Sequence, residues 1–213
     1  MNNKLFQGLL EKTLTKEEFY KIVKENDELI PDILDGVSSS KATIRYICGK
    51  VLMDLSEENP EKLYEHMDFF INLLDNKYRI LTWNAIITIA NLTKIDTLKK
   101  FDKNFDKYFN LLNNDYMVTV ANIVGSSSKI ALAKPYLINR ITEELLRVDK
   151  IKITPHLTEE CKRVIIEKTI ISFNIFFNQI GDKEKVITFV KKHIKSSRKT
   201  LKNEAEKFLN KWV

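Results

Sequence analysis

Residues 77–92 read KYRILTWNAIITIANL, and within them Leu81, Ala85, Ile89 and Leu92 stand at i, i+4, i+8 and i+11. On a helix of about 3.6 residues per turn these positions form one stripe. The stripe recurs. Counting back 37 residues gives Ile44, Cys48, Leu52 and Leu55, and counting forward 36 gives Met117, Ala121, Gly125 and Ser128, the weakest copy. A step of 48 reaches Ile165, Thr169, Phe173 and Phe176, and another of 36 reaches Leu201, Ala205, Leu209 and Trp212. A fixed order of large, small, large, large on five helices predicts an all-α chain, a right-handed α-solenoid of stacked helical hairpins with about five repeats.

Composition agrees with that class. The chain has 213 residues, and five glycines and four prolines are too few for a loop-rich or all-β protein. One domain over 1–213 is expected, with residues 1–40 as N-terminal capping helices and 41–213 as the repeats. The formal net charge is +6. Its distribution says more: between Lys183 and Val213 the lysines and Arg198 face only Glu184, Glu204 and Glu206, an excess at least as large as that of the whole chain. Such an end attracts nucleic acid, an anionic membrane or an acidic protein, or serves as a solvated cap. Cys48 and Cys161 read as reduced core residues without a disulfide framework. The N-terminus MNNKLFQGLLEKTL lacks a basic region followed by a long apolar one. The most apolar stretch, Val164 to Ile180, is interrupted by Glu167, Lys168, Asn174, Asn178 and Gln179 and is too polar to span a bilayer. A cytoplasmic location is expected, with no membrane partner.

Along the chain, residues 3 to 12 predict a short helix, and Thr15 with Glu18 predicts a capping box opening a second at 16 to 25. Pro31 fits the first turn of a third running to Asp35, which Gly36 and Ser38 to Ser40 close. Hairpins follow with helices at 41–56 and 61–75, then 77–93 and 97–113, the last burying Leu98, Phe101, Phe105, Phe109 and Leu112. A third hairpin begins at 115, with Gly125 inside its first helix, where a kink or a close helix contact is expected. Its partner starts at Pro135. The register then slips by 12 residues, and the added segment, Asp149 to Leu157, is read as tucked against the neighbouring hairpin. A long helix at 158–180, apolar nearly all round, is expected to be covered by that segment or by a partner. Helices at 183–196 and 199–212 complete the chain.

The segments Ile44-Arg45-x-x-Cys48-x-x-x-Leu52-x-x-Leu55 and Leu201-Lys202-x-x-Ala205-x-x-x-Leu209-x-x-Trp212 resemble the core pattern of HEAT and armadillo repeats. Asp75-Asn76 and Asn114-Asp115 are similar to that family's turn between repeats. The resemblance covers about residues 29 to 213. It implies a scaffold that binds a protein or nucleic acid along its inner helical face, without chemistry of its own.

Chemical motifs are missing. His66, His156 and His193 lie apart, with no Cys or His at i+3 or i+4, and no HExxH, CxxC, GxSxG or phosphate-loop pattern occurs. Neither a metal nor a cofactor is expected. DNA alkylation repair glycosylases resemble the chain in overall plan and use an aspartate flanked by aromatic residues. Trp83 has Ile87 one turn on, not an acid, and Trp212 falls in a core slot. The expected function is therefore a non-enzymatic scaffold whose second helices offer His66, Phe69, Lys103, Lys107, Arg140, Glu144 and Arg147 to a protein partner. The alternative is nucleic-acid binding through Lys191, Lys192, Lys195, Arg198, Lys199 and Lys202, clustered around one interhelical turn. Phe189 is the one aromatic residue nearby, so base stacking is not indicated.

Overall fold

The capping box at Thr15 forms in both directions: Glu18 N–H donates to Thr15 Oγ1 at 3.2 Å and Thr15 N–H to Glu18 Oε2 at 2.9 Å. It opens α2 (Lys16–Glu25) after α1 (Asn3–Glu11), and Pro31 sits in the first turn of α3 (Ile30–Gly36). The structure, a computed structural model, describes residues 3–213. The described residues are all-α apart from a lone bridge between Thr154 and Leu157, and they build an α-solenoid type of fold. Two compact units divide the chain, Met1–Lys100 and Phe101–Val213.

In the first unit, α1, α2 and α3 pack on α4 (Ala42–Glu58). A short α5 (Met67–Asn72) follows, and α6 (Arg79–Leu92) packs directly along α4. The stripe explains the approach. Ile44, Cys48, Leu52 and Leu55 are buried on α4, as are Leu81, Ala85, Ile89 and Leu92 on α6. Two glycines set how near the helices come. A Cβ on Gly36 would lie 2.5 Å from Cys48 Sγ, and one on Gly49 would lie 2.8 Å from Leu81 Cδ2. Burial pushes the Cys48 thiol up to about 12, so it stays neutral in this contact.

In the second unit, α7 (Lys100–Lys103), which starts on the last residue of the first, leads to α8 (Phe105–Phe109), α9 (Met117–Ala133) and α10 (Ile138–Leu146). Then come α11 (Glu159–Phe176), α12 (Lys183–Lys191) and α13 (Lys199–Trp212). Here α9 packs on α11 and α11 on α13.

Across both units four of the long helices start alike, while α11 opens on a Thr158 N-cap. Ser39 Oγ, Asn76 Oδ1, Asn114 Oδ1 and Ser196 Oγ accept the backbone N–H of Lys41, Tyr78, Tyr116 and Arg198 at 2.8 to 3.2 Å. Each accepting side chain closes a small turn. The donor residue is held extended, and α4, α6, α9 or α13 begins at the next one. The turns expected at Asn76 and Asn114 are thus two of four. Arg45 reinforces the first: it is buried, donates from Nη1 to Ser39 O at 2.7 Å and lies 3.7 Å above the Tyr78 ring.

Several expectations change. The second segments of the hairpins are broken, not continuous. The expected 61–75 helix is two 3-10 turns, α5 and a third 3-10 turn, yet Leu63, Met67, Phe70, Ile71 and Leu74 are buried as predicted. Over one turn, burial spacing cannot separate i→i+3 from i→i+4 bonding. Lys99 has φ 52°, which ends any helix starting at 97 and leaves Leu98 65% exposed; Tyr108 is buried in its stead. On α9 the buried side is Val120, Ile123, Val124, Ser127 and Ala131, so Gly125 faces solvent and a Cβ there would meet nothing within 4 Å. No close helix contact uses that glycine. On α13 Phe208 takes the slot expected of Leu209, and Trp212 is half-buried, its Nε1 donating to Asn174 Oδ1 at 2.8 Å. Cys161 is half-exposed in the first turn of α11, accepting from Thr158 Oγ1 rather than packing in a core.

The added segment does fold against the neighbouring hairpin. Thr154 Oγ1 donates to Asp115 O at 3.2 Å, His156 stacks on Tyr116 at 4.7 Å, and Leu157 is buried. It does not cover the far side of α11, where Ile171 and Ile175 remain exposed.

The two kinds of glycine predict opposite signs. Gly125→Ala should raise stability by about 0.5–1 kcal/mol, because alanine is the better helix former and space is open. Gly36→Ala should lower it by about 1–3 kcal/mol through overpacking against Cys48. Urea denaturation of both variants checks the pair.

Candidate partner-binding surfaces

Charged side chains of the second segments join successive repeats. In the first unit Lys62 pairs with Asp27 at 2.6 Å and Lys100 with Asp68 at 2.9 Å. Tyr64 supports the second pair from the side, donating to Asp96 Oδ1 at 2.7 Å while accepting Leu98 N–H at 2.9 Å. In the second unit Lys134 pairs with Asp102 at 2.8 Å, Tyr136 donates to the same carboxylate, and Arg140 pairs with Asp106 at 2.7 Å. The partners stand 32 to 35 residues apart, one repeat, and the Lys134 side chain is only 4% exposed. A buried ammonium is tolerable only with such compensation.

Among the predicted contact residues, Arg140 is therefore held by Asp106 and also lies 3.9 Å over the Phe105 ring. Arg147 and Glu144 pair with each other at 2.6 Å. Phe69 is half-buried, edge-on to Phe70 at 5.5 Å, and His66 is half-buried beside Glu65. Lys107 is half-buried, and Lys103 is exposed. His66 and Phe69 lie in the first unit and the other five in the second.

The C-terminal cationic cluster divides in two. Arg198 is bound on both sides, by Glu167 at 2.7 Å and by Glu160, and these carboxylates raise its pKa further. Lys192 pairs with Asp149 at 2.7 Å, and Lys202 lies 3.7 Å from Glu206. Lys191, Lys195 and Lys199 are exposed and have no ion pair among the described residues. Close by, His193 is half-buried between Phe189 and Asp149, with Lys192 and Lys162 also near. Burial holds its pKa below the ordinary value, outweighing the attraction of Asp149.

Two further rows of exposed residues lie on the long helices of the second unit. On α9 the solvent row is Val118, Asn122, Gly125, Lys129 and Leu132, and on α11 it is Val164, Lys168, Ile171 and Ile175. Both rows follow helical spacing. In the first unit a groove of about 580 Å³ opens between α2 and α4, walled by Tyr20 and Tyr46 over Ile47 and Val51, its rim carrying the Lys24–Glu58 and Lys50–Asp54 pairs. No group of three or more His, Cys, Asp and Glu side chains among the described residues could hold a metal, and no helix among them is long and apolar enough to cross a membrane.

No protein family's description matches the sequence, and no curated protein matches it. Two solved structures are similar. The designed armadillo repeat protein YIII(Dq)4CqI is 18% identical, with 91% of this chain and 85% of that one covered and a TM-score of 0.62. An engineered protein from the Northeast Structural Genomics Consortium is 13% identical, covering 99% and 96%, with a TM-score of 0.53. The likeness concerns the fold, which is of the armadillo/HEAT helical-repeat type.

Two measurements test the electrostatics. Asp102→Ala, which strips compensation from a buried ammonium, should cost about 2 kcal/mol or more, whereas Lys103→Ala on the exposed side should stay within about 0.5 kcal/mol. Because the folded pKa of His193 is depressed, the unfolded chain binds more protons at mildly acidic pH, and stability falls as pH drops below about 6.5. His193→Gln should reduce that slope in denaturation curves taken from about pH 7 to pH 5.

Proposed function

We propose that the chain is a non-enzymatic scaffold, working in the cytoplasm, that binds a protein partner on its helical surface. The observation that carries this reading is the division of its side chains. Acids and bases pair between repeats and converge on no reaction centre, while Val118, Leu132, Ile171 and Ile175 stand in solvent on well-packed helices. Exposed apolar side chains grouped on rigid elements mark interaction surfaces. The similarity to a designed armadillo repeat protein supports the scaffold architecture and says nothing of the partner. The second-segment residues His66 and Phe69 are candidate contacts in the first unit, Lys103, Lys107, Arg140, Glu144 and Arg147 are candidates in the second, and the long helices of the second unit offer another set.

A second reading has its own observation: three lysines without ion pairs, Lys191, Lys195 and Lys199, around the turn from α12 to α13. They supply phosphate contacts without base readout, so binding would be non-specific and sensitive to salt.

One pair of experiments decides between them. Tagged full chain cross-linked in its native cytoplasm and treated with nuclease should retain a protein at near-equal stoichiometry, and a fluorescent duplex should not bind even at about 20 mM salt. Tight duplex binding that Lys191→Glu with Lys195→Glu abolishes, with no protein retained, overturns the scaffold reading in favour of nucleic acid.

A further inference from the structure

The solvent row of α9 and that of α11 belong to one strip. The two helices pack side by side, α13 lies on the other flank of α11, and α10 and α12 lie in the second layer. What remains open on each helix is the side turned away from that layer. Packed helix axes lie about 8–10 Å apart, so the two rows border a shallow trough. Val118, Leu132, Ile171 and Ile175 are between 41% and 52% exposed along it, and Val164 is half-buried.

The electrostatics of the strip are one-sided. Helix α9 contains no acidic residue. On α11, Glu160 and Glu167 are both engaged by Arg198, and Glu159 stands at the far N-terminal end. Lys168 is exposed in the middle of the α11 row and Lys129 lies on the α9 row. Apolar side chains around the exposed Lys168, with Glu160 and Glu167 both occupied by Arg198, complement a partner that alternates apolar and acidic groups. Nucleic acid would meet isoleucine and leucine at the positions where it needs cations.

Resting on the scaffold reading, we propose that the trough between α9 and α11 is a docking site for an acidic amphipathic helix of a partner protein. The row from Val118 to Leu132 runs about 21 Å, close to four turns of such a helix. Apolar residues at i, i+3, i+4 and i+7 of the partner would cover Leu132, Ile171 and Ile175, and its carboxylates would meet Lys168.

Selection of a displayed library of random peptides, each about 16 residues long, on the full chain tests this. The expected winners carry Asp or Glu with apolar residues at helical spacing. Their affinity should fall at least about tenfold for Ile171→Asp and for Ile175→Asp, less for Lys168→Glu, and not at all for Lys94→Glu, an exposed lysine outside every candidate face. All four positions face solvent, and circular dichroism of each variant confirms that the helices persist. Winners without acidic residues, or winners indifferent to both isoleucine variants, overturn the proposal. Winners lost with Arg140→Glu or Lys103→Glu alone would sink the α9–α11 site while leaving the scaffold reading intact. Concentration-dependent self-association abolished by Ile175→Asp would instead assign the strip to a second copy of the chain. Failure to select any peptide, with duplex binding in its place, removes both readings together.

Discussion

Close approach between long helices is the constraint on which each unit rests. Gly36 lets α3 reach Cys48, and Gly49 lets α4 reach Leu81 and Asn84. Further along, Ala85 and Ala205 occupy the small slot of the stripe, both buried. Small residues on facing helices bring backbones together and let the large members of each stripe interdigitate at high density. The second segments work in the opposite way. Phe101, Phe105, Tyr108 and Phe109 form a chain of ring contacts at 4.5 to 6.0 Å, filling space with large side chains rather than closing it with small ones. A layer can therefore tolerate irregular 3-10 turns in its second segment as long as the rings are buried.

Charge serves repetition in the same manner. Asp68 with Lys100, Asp102 with Lys134 and Asp106 with Arg140 repeat one geometric relation, each an acid answered by a base one repeat later. The exposed pairs contribute little individually. The Lys134 pair is different, because its ammonium has left water and the carboxylate and the Tyr136 hydroxyl take over the role of solvent. Such a pair fixes the register of neighbouring repeats more than it adds stability.

The helical class, the repeat and most of the core were legible in the sequence, because a period near 3.6 and a second period near 37 are written in apolar residues that have few other reasons to recur. The turns at Asn76 and Asn114 were legible through their similarity to the HEAT and armadillo turn between repeats, but Ser39 and Ser196 were not, since serine is common elsewhere and its role depends on the N–H two residues on. The α9 register was misread at Gly125, where the buried side is carried by serines and valines that hydropathy ranks poorly. Leu98 was placed in a helix because nothing in the sequence announces the positive φ of Lys99. The ion-pair ladder could not be read at all: two charges 32 residues apart become neighbours only once the repeat exists.

That asymmetry bears on where function lies. Residues that build a repeat must recur with it, so periodicity reveals the core and hides whatever departs from it. Of the predicted contacts on the second segments, Arg140 is engaged by Asp106 of the preceding repeat, while Arg147 and Glu144 pair with each other within one helix. Ile171 and Ile175 belong to the helix that reads as apolar nearly all round, for which the sequence offers two covers, the added segment or a partner. The structure leaves them in solvent beside Lys168, on the helix whose neighbours cover its other sides. An apolar side chain that the fold had room to bury and did not is a stronger pointer to a partner than any surface charge, since exposure of a charge needs no explanation.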